Sequence, residues 1–399
     1  MRFLSFVQFV CLFAAILPIH AAPFVPAADN QILERLPTQG SDAQERALRA
    51  LREQLAKQPA SLPIALKLAR RYVEIGRASG DPRYAGYAEA VLARWFALAA
   101  PPVEVLVLRA TLLQRMHKFD AALADLNRVL KQNPFQTQAL LTKATILQVQ
   151  GNFSAAGEQC TELQALTQEL ICAHCLTSVQ GATGTLRDSY SALNAVLERS
   201  SSAPADLHAW VSITLAEMAT RLGAIEKADA HFRTTLAIDS SDQYLLAAYS
   251  DFLLDNHRPA DVVALLRDKT RIDPLLLRYT LTLKATRSPA LQRQIGALAE
   301  RFDASRLRSD SVHLREEARF ALQLQGDTQR ALGLAQENWK IQKEPAAARI
   351  LFEAAIAAKD SHAATELRTW LARCKLEDVA LTRLSARTEP HPSAALAYM

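Results

Sequence analysis

An all-α fold is predicted by three features of the sequence. Ala, Leu, Arg, Gln and Glu, all good helix formers, dominate its 399 residues. Glycine occurs only 12 times, about 3% against a usual ~7%, and period-two runs of Val, Ile, Thr and Tyr are nearly absent. Two adjacent segments, Val103–Gln136 and Thr137–Leu170, align without a gap over 34 residues each. With 50% apolar residues the chain is globular rather than disordered.

The N-terminus reads MRFLSFVQFVCLFAAILPIHAAPFVPAADN. One Arg precedes an apolar run from Phe3 to Leu17, Pro18 breaks it, and Ala21 and Ala22 follow. These are the three parts of a secretory signal peptide, with cleavage expected after Ala21. The run is shorter than the roughly 20 residues that span a bilayer, and no later segment is long and apolar enough. Residues 1–21 are therefore expected to be a leader, and residues 22–40 a flexible segment. The mature chain is expected to be exported without membrane insertion, most simply into a bacterial periplasm.

Within the two aligned segments Ala110 matches Ala144, Leu113 matches Leu147, Phe119 matches Phe153 and Ala122 matches Ala156, and Pro134 closes the first. Small residues at Ala110 and Ala122 would let two helices of one unit approach closely. Leu106, Leu113, Phe119 and Leu126 would fill the space around that contact. Pro134 cannot continue a helix and would set the next turn. Similar patterns recur in His208–Ser241, Gln243–Pro274, Val312–Ile341 and Pro345–Cys374. Upstream, RALRALREQLAKQP reads as a lone helix, and Ile64–Pro102 as a unit with a stretched inter-helix turn.

This pattern resembles the tetratricopeptide repeat. The resemblance implies a right-handed superhelical solenoid of roughly eight to ten antiparallel helix pairs with one continuous core. It spans residues 41–374 and is degenerate around 277–310. Residues 375–387 suit a capping helix, and 388–399 a loose tail. Departures from the repeat pattern include Arg109 and Lys143, which replace its Leu.

The resemblance also implies a non-catalytic scaffold or adaptor whose inner groove, lined by the first helix of each pair, takes a peptide or partner helix. The inward positions would be Trp210, Ile213, Glu217 and Arg221 in one unit, and Tyr244, Asp251 and Asp255 in the next. Some relatives grip a C-terminal carboxylate with Lys and Asn. Here Val107, Thr111, Leu141 and Thr145 stand at those positions, so that clamp is not expected.

Other functions find little support. The charge of +5 comes from scattered Arg, without the basic stripe or stacking aromatics of a nucleic-acid binder. No Gly-rich phosphate loop, HExxH, GxSxG or SxxK occurs. No enzyme activity, metal or cofactor is expected. His313, Glu316 and Glu317 in HLREE read as a solvated helix face.

Removal of the leader would take Cys11, leaving Cys160, Cys172, Cys175 and Cys374, an even number in an exported chain. Cys160 lies on one helix, and Cys172 and Cys175 on the next. The connection is expected around Leu166–Gln168; Cys160 and Cys172 are each six residues from Leu166, so a Cys160–Cys172 disulfide is expected, with Cys175 the alternative partner. Two other functions stay open: a thiol–disulfide protein using Cys172 and Cys175, and a structural subunit that self-assembles.

Overall fold

The computed structural model describes residues 28, 31, 42–307 and 313–388. The expected leader, all but residues 28 and 31 of the segment 22–40, and the tail from 389 onward lie outside the described residues. The chain divides into two units, residues 1–45 and 46–399, and the second contains every helix pair.

A lone helix, α1 (Asp42–Lys57), comes first. Nine antiparallel pairs follow among the described residues: α2 (Leu62–Ser79) with α3 (Arg83–Phe96), α4 (Val103–Arg115) with α5 (Phe119–Gln132), and α6 (Thr137–Val149) with α7 (Phe153–Glu162). Next are α8 (Glu169–Gln180) with α9 (Leu186–Arg199), α10 (Ala205–Arg221) with α11 (Ile225–Ile238), and α12 (Gln243–Asp255) with α13 (Pro259–Leu266). The last three are α14 (Asp273–Ala285) with α15 (Leu291–Leu307), α16 (Leu314–Phe320) with α17 (Thr328–Ile341), and α18 (Pro345–Ala358) with α19 (Ser361–Cys374). A final helix, α20 (Val379–Ala386), lies in the segment read as a cap. No strand occurs among the described residues.

The crossings form where the repeat pattern put small residues. Ala110, Ala122, Ala156, Ala216 and Ala228 are completely buried. Leu106, Leu126 and Phe232 fill the spaces beside them. The stretched turn expected in residues 64–102 is not there. The extra residues lengthen α2 to 18 residues, and the turn itself is only Gly80–Pro82. The degenerate stretch forms an ordinary pair. Its first helix buries Leu275, Leu276 and Leu277, and Thr280 and Thr282 return their hydroxyls to the carbonyls one turn back.

Each pair reverses through one residue of positive φ: Gly80, His117, Gly151, Gly184, Gly223, His257, Arg287, Gly326 and Lys359 in chain order. The N–H that follows often reaches back five residues, as from Lys118 to Leu113 O and Asn152 to Leu147 O. This closes the first helix with the left-handed cap that satisfies its last carbonyls. Asp242, Asp327, Asp360 and Asp378 cap the starts of other helices by accepting backbone N–H groups.

The first helix of every pair touches the first helix of the next, whereas consecutive second helices make no comparable contact. The even-numbered helices α2 to α18 therefore form the tighter, inner wall of residues 46–399. Segments distant in sequence also meet. Lys343 N–H donates to Val149 O at 2.6 Å, and the Glu377 carboxylate accepts from Leu186 N at 2.6 Å. Arg221 donates to Gly181 O at 2.6 Å and to Glu377 O at 3.1 Å. Arg77 pairs with Asp242. The C-terminal pairs thus pack on the turns of earlier ones.

Candidate interaction surface on the inner wall

The seven positions expected to face inward lie on α10 and α12, neighbours on the inner wall. Trp210, Glu217 and Arg221 fall seven and eleven residues apart along α10, which is one helical stripe. Trp210 stays 37% exposed and lies over the His174 ring of α8, with centroids 3.7 Å apart. Ile213 is buried. Tyr244 of α12 is 58% exposed and its hydroxyl donates to the Glu217 carboxylate. The surrounding helices strip water from Glu217 and push its pKa up to about 7, against the pull of the Tyr244 hydrogen bond. Arg221 is held by the two carbonyls that join it to the C-terminal segment.

Asp251 and Asp255 belong to a ladder of the chain's own charges. Arg278 of α14 donates to Asp251 at 2.7 Å and to Glu316 of α16 at 2.8 Å. Arg319 reaches Asp251 at 2.6 Å and Gln323 at 3.1 Å. Gln323 donates to Glu353 of α18 at 2.9 Å. Glu353 accepts from Arg349, which also holds Asp255 at 2.8 Å. At the other end Arg315 bridges Glu316 and Glu344. Burial alone would raise Asp251 and Glu316, but the guanidiniums beside them prevail and hold both at about 2. The ladder is ionised and links four inner-wall helices, α12, α14, α16 and α18.

HLREE is therefore not a solvated face. Glu316 and Glu317 are buried, Glu317 accepting from Arg306 and from Arg330, the latter at 2.5 Å. Only the tertiary fold brings Arg278, Arg306 and Arg330 to these acids. The ladder's arginines went unnoticed because each is one cation among many along the sequence. One signal was available: Arg315 and Arg319 lie one turn apart on one helix, facing the wall that carries Asp251.

The disulfide joins Cys160 to Cys175, with Cα atoms 5.5 Å apart, and not to Cys172 as expected. The connection after the 3₁₀ turn Leu163–Ala165 is Leu166–Gln168, where it was expected. Its centre is Thr167, so the mirror position of Cys160 is 174. Cys175 lies one residue from that position and Cys172 two. Cys172 is a free, buried thiol, and Cys374 is free and half-buried. Among the described residues no group of three His, Cys, Asp or Glu side chains could hold a metal ion.

Nine antiparallel pairs, small residues at their crossings and an inner wall of first helices define a tetratricopeptide-like α-solenoid. Among solved structures the chain is similar to yeast Tom70, at 11% identity and TM-score 0.41 over 86% of this chain and 85% of that one. It is similar to the APC/C hetero-tetramer Cut9–Hcn1, at 13% identity and TM-score 0.41 over 87% and 72% of the two chains. It is similar to a tetratricopeptide repeat protein from Parabacteroides merdae, at 12% identity and TM-score 0.28 over 78% and 92%. No family model matches the chain, and no curated protein matches it.

Proposed function

We propose that the chain is a non-catalytic protein-interaction scaffold of the cell envelope, taking a peptide or partner helix along its inner wall. One observation carries this reading: Trp210 and Tyr244 stay exposed on adjacent inner-wall helices, with Tyr244 bonded to Glu217 of the Trp210 helix. Exposed aromatics beside polar groups are typical anchors of protein interfaces. Ile213 supports that strip from beneath and Arg221 bounds it. Asp251 and Asp255 are already neutralised by the chain's own arginines, so they border the strip and are not its main anchors. The envelope location rests on the leader-like N-terminus, and a disulfide suits such an oxidising compartment. No described helix is long and apolar enough to cross a membrane.

The test compares cross-linked partners of the wild-type chain with those of Trp210→Ala/Tyr244→Ala in envelope extract. The double variant is expected to lose a protein partner while keeping the wild-type helical spectrum. A folded double variant that retains every partner overturns the assignment.

A further inference from the structure

Three sulfurs gather between α7 and α8. Cys160 is completely buried on α7 and bonded to Cys175 on α8. Cys172 is on the same helix as Cys175, three residues earlier, which places the two thiol positions on one face about a turn apart. The Cys172 thiol points at the same residue that carries the disulfide: its Sγ donates to Cys160 O at 3.8 Å. The reduced Cys172 thiol therefore rests against the backbone of the residue whose sulfur is bonded to Cys175.

We infer that Cys172 is an exchange thiol for the Cys160–Cys175 disulfide, so that α7 and α8 carry two interchangeable linkages. In the step, the Cys172 thiolate attacks Cys160 Sγ. The Cys160–Cys172 bond forms, the Cys160–Cys175 bond breaks, and Cys175 leaves as a thiolate. Cys175 then takes up the proton that Cys172 gave away. One disulfide and one thiol are present before and after, so no oxidant or reductant is consumed. Attack on Cys175 Sγ instead would join two residues of α8 and untie α7. The contact with Cys160 favours the first route.

Burial raises the Cys172 thiol above its usual pKa. The thiolate is the attacking form, so exchange is slow in the closed hairpin and quickens with rising pH or local opening. The outcome is a free thiol that moves along one face of α8. In the new linkage it lies at Cys175, in the core cluster with Leu140, Ala144 and Val179.

The test uses the full chain carrying Cys11→Ser and Cys374→Ser, so that only three sulfurs take part. The oxidised protein is held without added thiol near pH 9, where an ordinary thiol of pKa about 8.5 is largely ionised. This is done with and without urea at the unfolding midpoint. Acid quenching, labelling of the free thiol with N-ethylmaleimide and cleavage after glutamate separate Cys160 from α8. Fragmentation then locates the label. At the outset the label is expected on Cys172. After incubation about a tenth or more of molecules are expected to carry it on Cys175 with Cys160 joined to Cys172, as for linkages within about 1.4 kcal/mol of each other. A label that stays on Cys172 in both conditions, or a Cys172–Cys175 bond, overturns the inference. A Cys175→Ala chain is expected to form the Cys160–Cys172 bond on oxidation while keeping its helical spectrum. A folded Cys175→Ala chain labelled at both remaining thiols overturns it as well.

Discussion

His174 lies beneath Trp210, with its Nε2 2.8 Å from Thr214 Oγ1 and no hydrogen-bond partner for its Nδ1. Burial lowers its pKa from the usual 6.5 to about 3. Between those values the unfolded chain binds a proton that the folded chain refuses. Stability from this residue is therefore full above pH 6.5 and is lost as pH falls toward 3. Glu217 has the opposite sign. Its pKa is raised from 4.5 to about 7, so its contribution is full below 4.5 and lost as pH rises through 7. The two slopes oppose each other between 4.5 and 6.5, and below 4.5 the His174 slope adds to that of the paired carboxylates Asp251 and Glu316. Urea unfolding of His174→Leu across pH should show a shallower fall than wild type between pH 4.5 and 3. An unchanged slope would mean that His174 is not the neutral buried group described. At the same scale, Cys160→Ala should lower stability by about 2–4 kcal/mol in urea titration, the usual worth of a disulfide closing a loop of this size.

The turns of the helix pairs share one backbone conformation but not one environment. Gly184 has φ 94°, and a Cβ there would stand 2.9 Å from Lys375 Cβ. Gly326 has φ 72° and nothing within 4 Å of such a Cβ. Both positions charge an L-residue the left-handed penalty of about 1–2 kcal/mol, and only the first adds a collision with a distant segment. Gly184→Ala should therefore destabilise the chain by clearly more than Gly326→Ala, read from the two urea midpoints. Equal losses would show that the C-terminal segment does not press on this turn. His117, His257, Arg287 and Lys359 adopt the same conformation without being glycine, so conformation alone does not dictate glycine.

Across the whole molecule, the inner-wall ladder makes the later pairs depend on one another. Arg278 is 5% exposed and holds Asp251 and Glu316 together. Arg278→Ala would leave two buried carboxylates short of their cation, a loss of about 3–5 kcal/mol. Arg83→Ala, which breaks the exposed pair with Asp81, should cost about 0–1 kcal/mol. Similar losses from the two in chemical denaturation would refute a structural role for the ladder. Asp251 and Glu316 have pKa values lowered to about 2, so their stabilisation is full above the ordinary carboxylate range and lost as pH falls toward 2.

The helix pairs were legible in the sequence because their causes are local. Ala110, Ala122 and Ala144 recur at the crossings, the charged residues stay off them, and 34 residues suffice for two helices and their turns. The pairs α4–α7, α10–α13 and α16–α19 follow from that period, whereas α14 and α15 form in the stretch where it degenerates. Length was less legible, since the residues read as a long turn extend α2 instead. The site was legible only as a set of positions on α10 and α12. Which of them would stay open depended on distant arginines of α14, α16 and α18 that no spacing connects to Asp251 or Asp255. The cysteine pairing was missed by the smallest margin: the connection Leu166–Gln168 lies where expected, but its centre is Thr167 rather than Leu166, which turns the mirror position of Cys160 toward Cys175. The sequence by itself determined the all-α repeat, because helix propensity and apolar spacing act within one or two turns. Only the tertiary structure decided the ladder, the packing of the C-terminal pairs on earlier turns and the partner of Cys160. Those depend on where segments far apart in the chain come to lie.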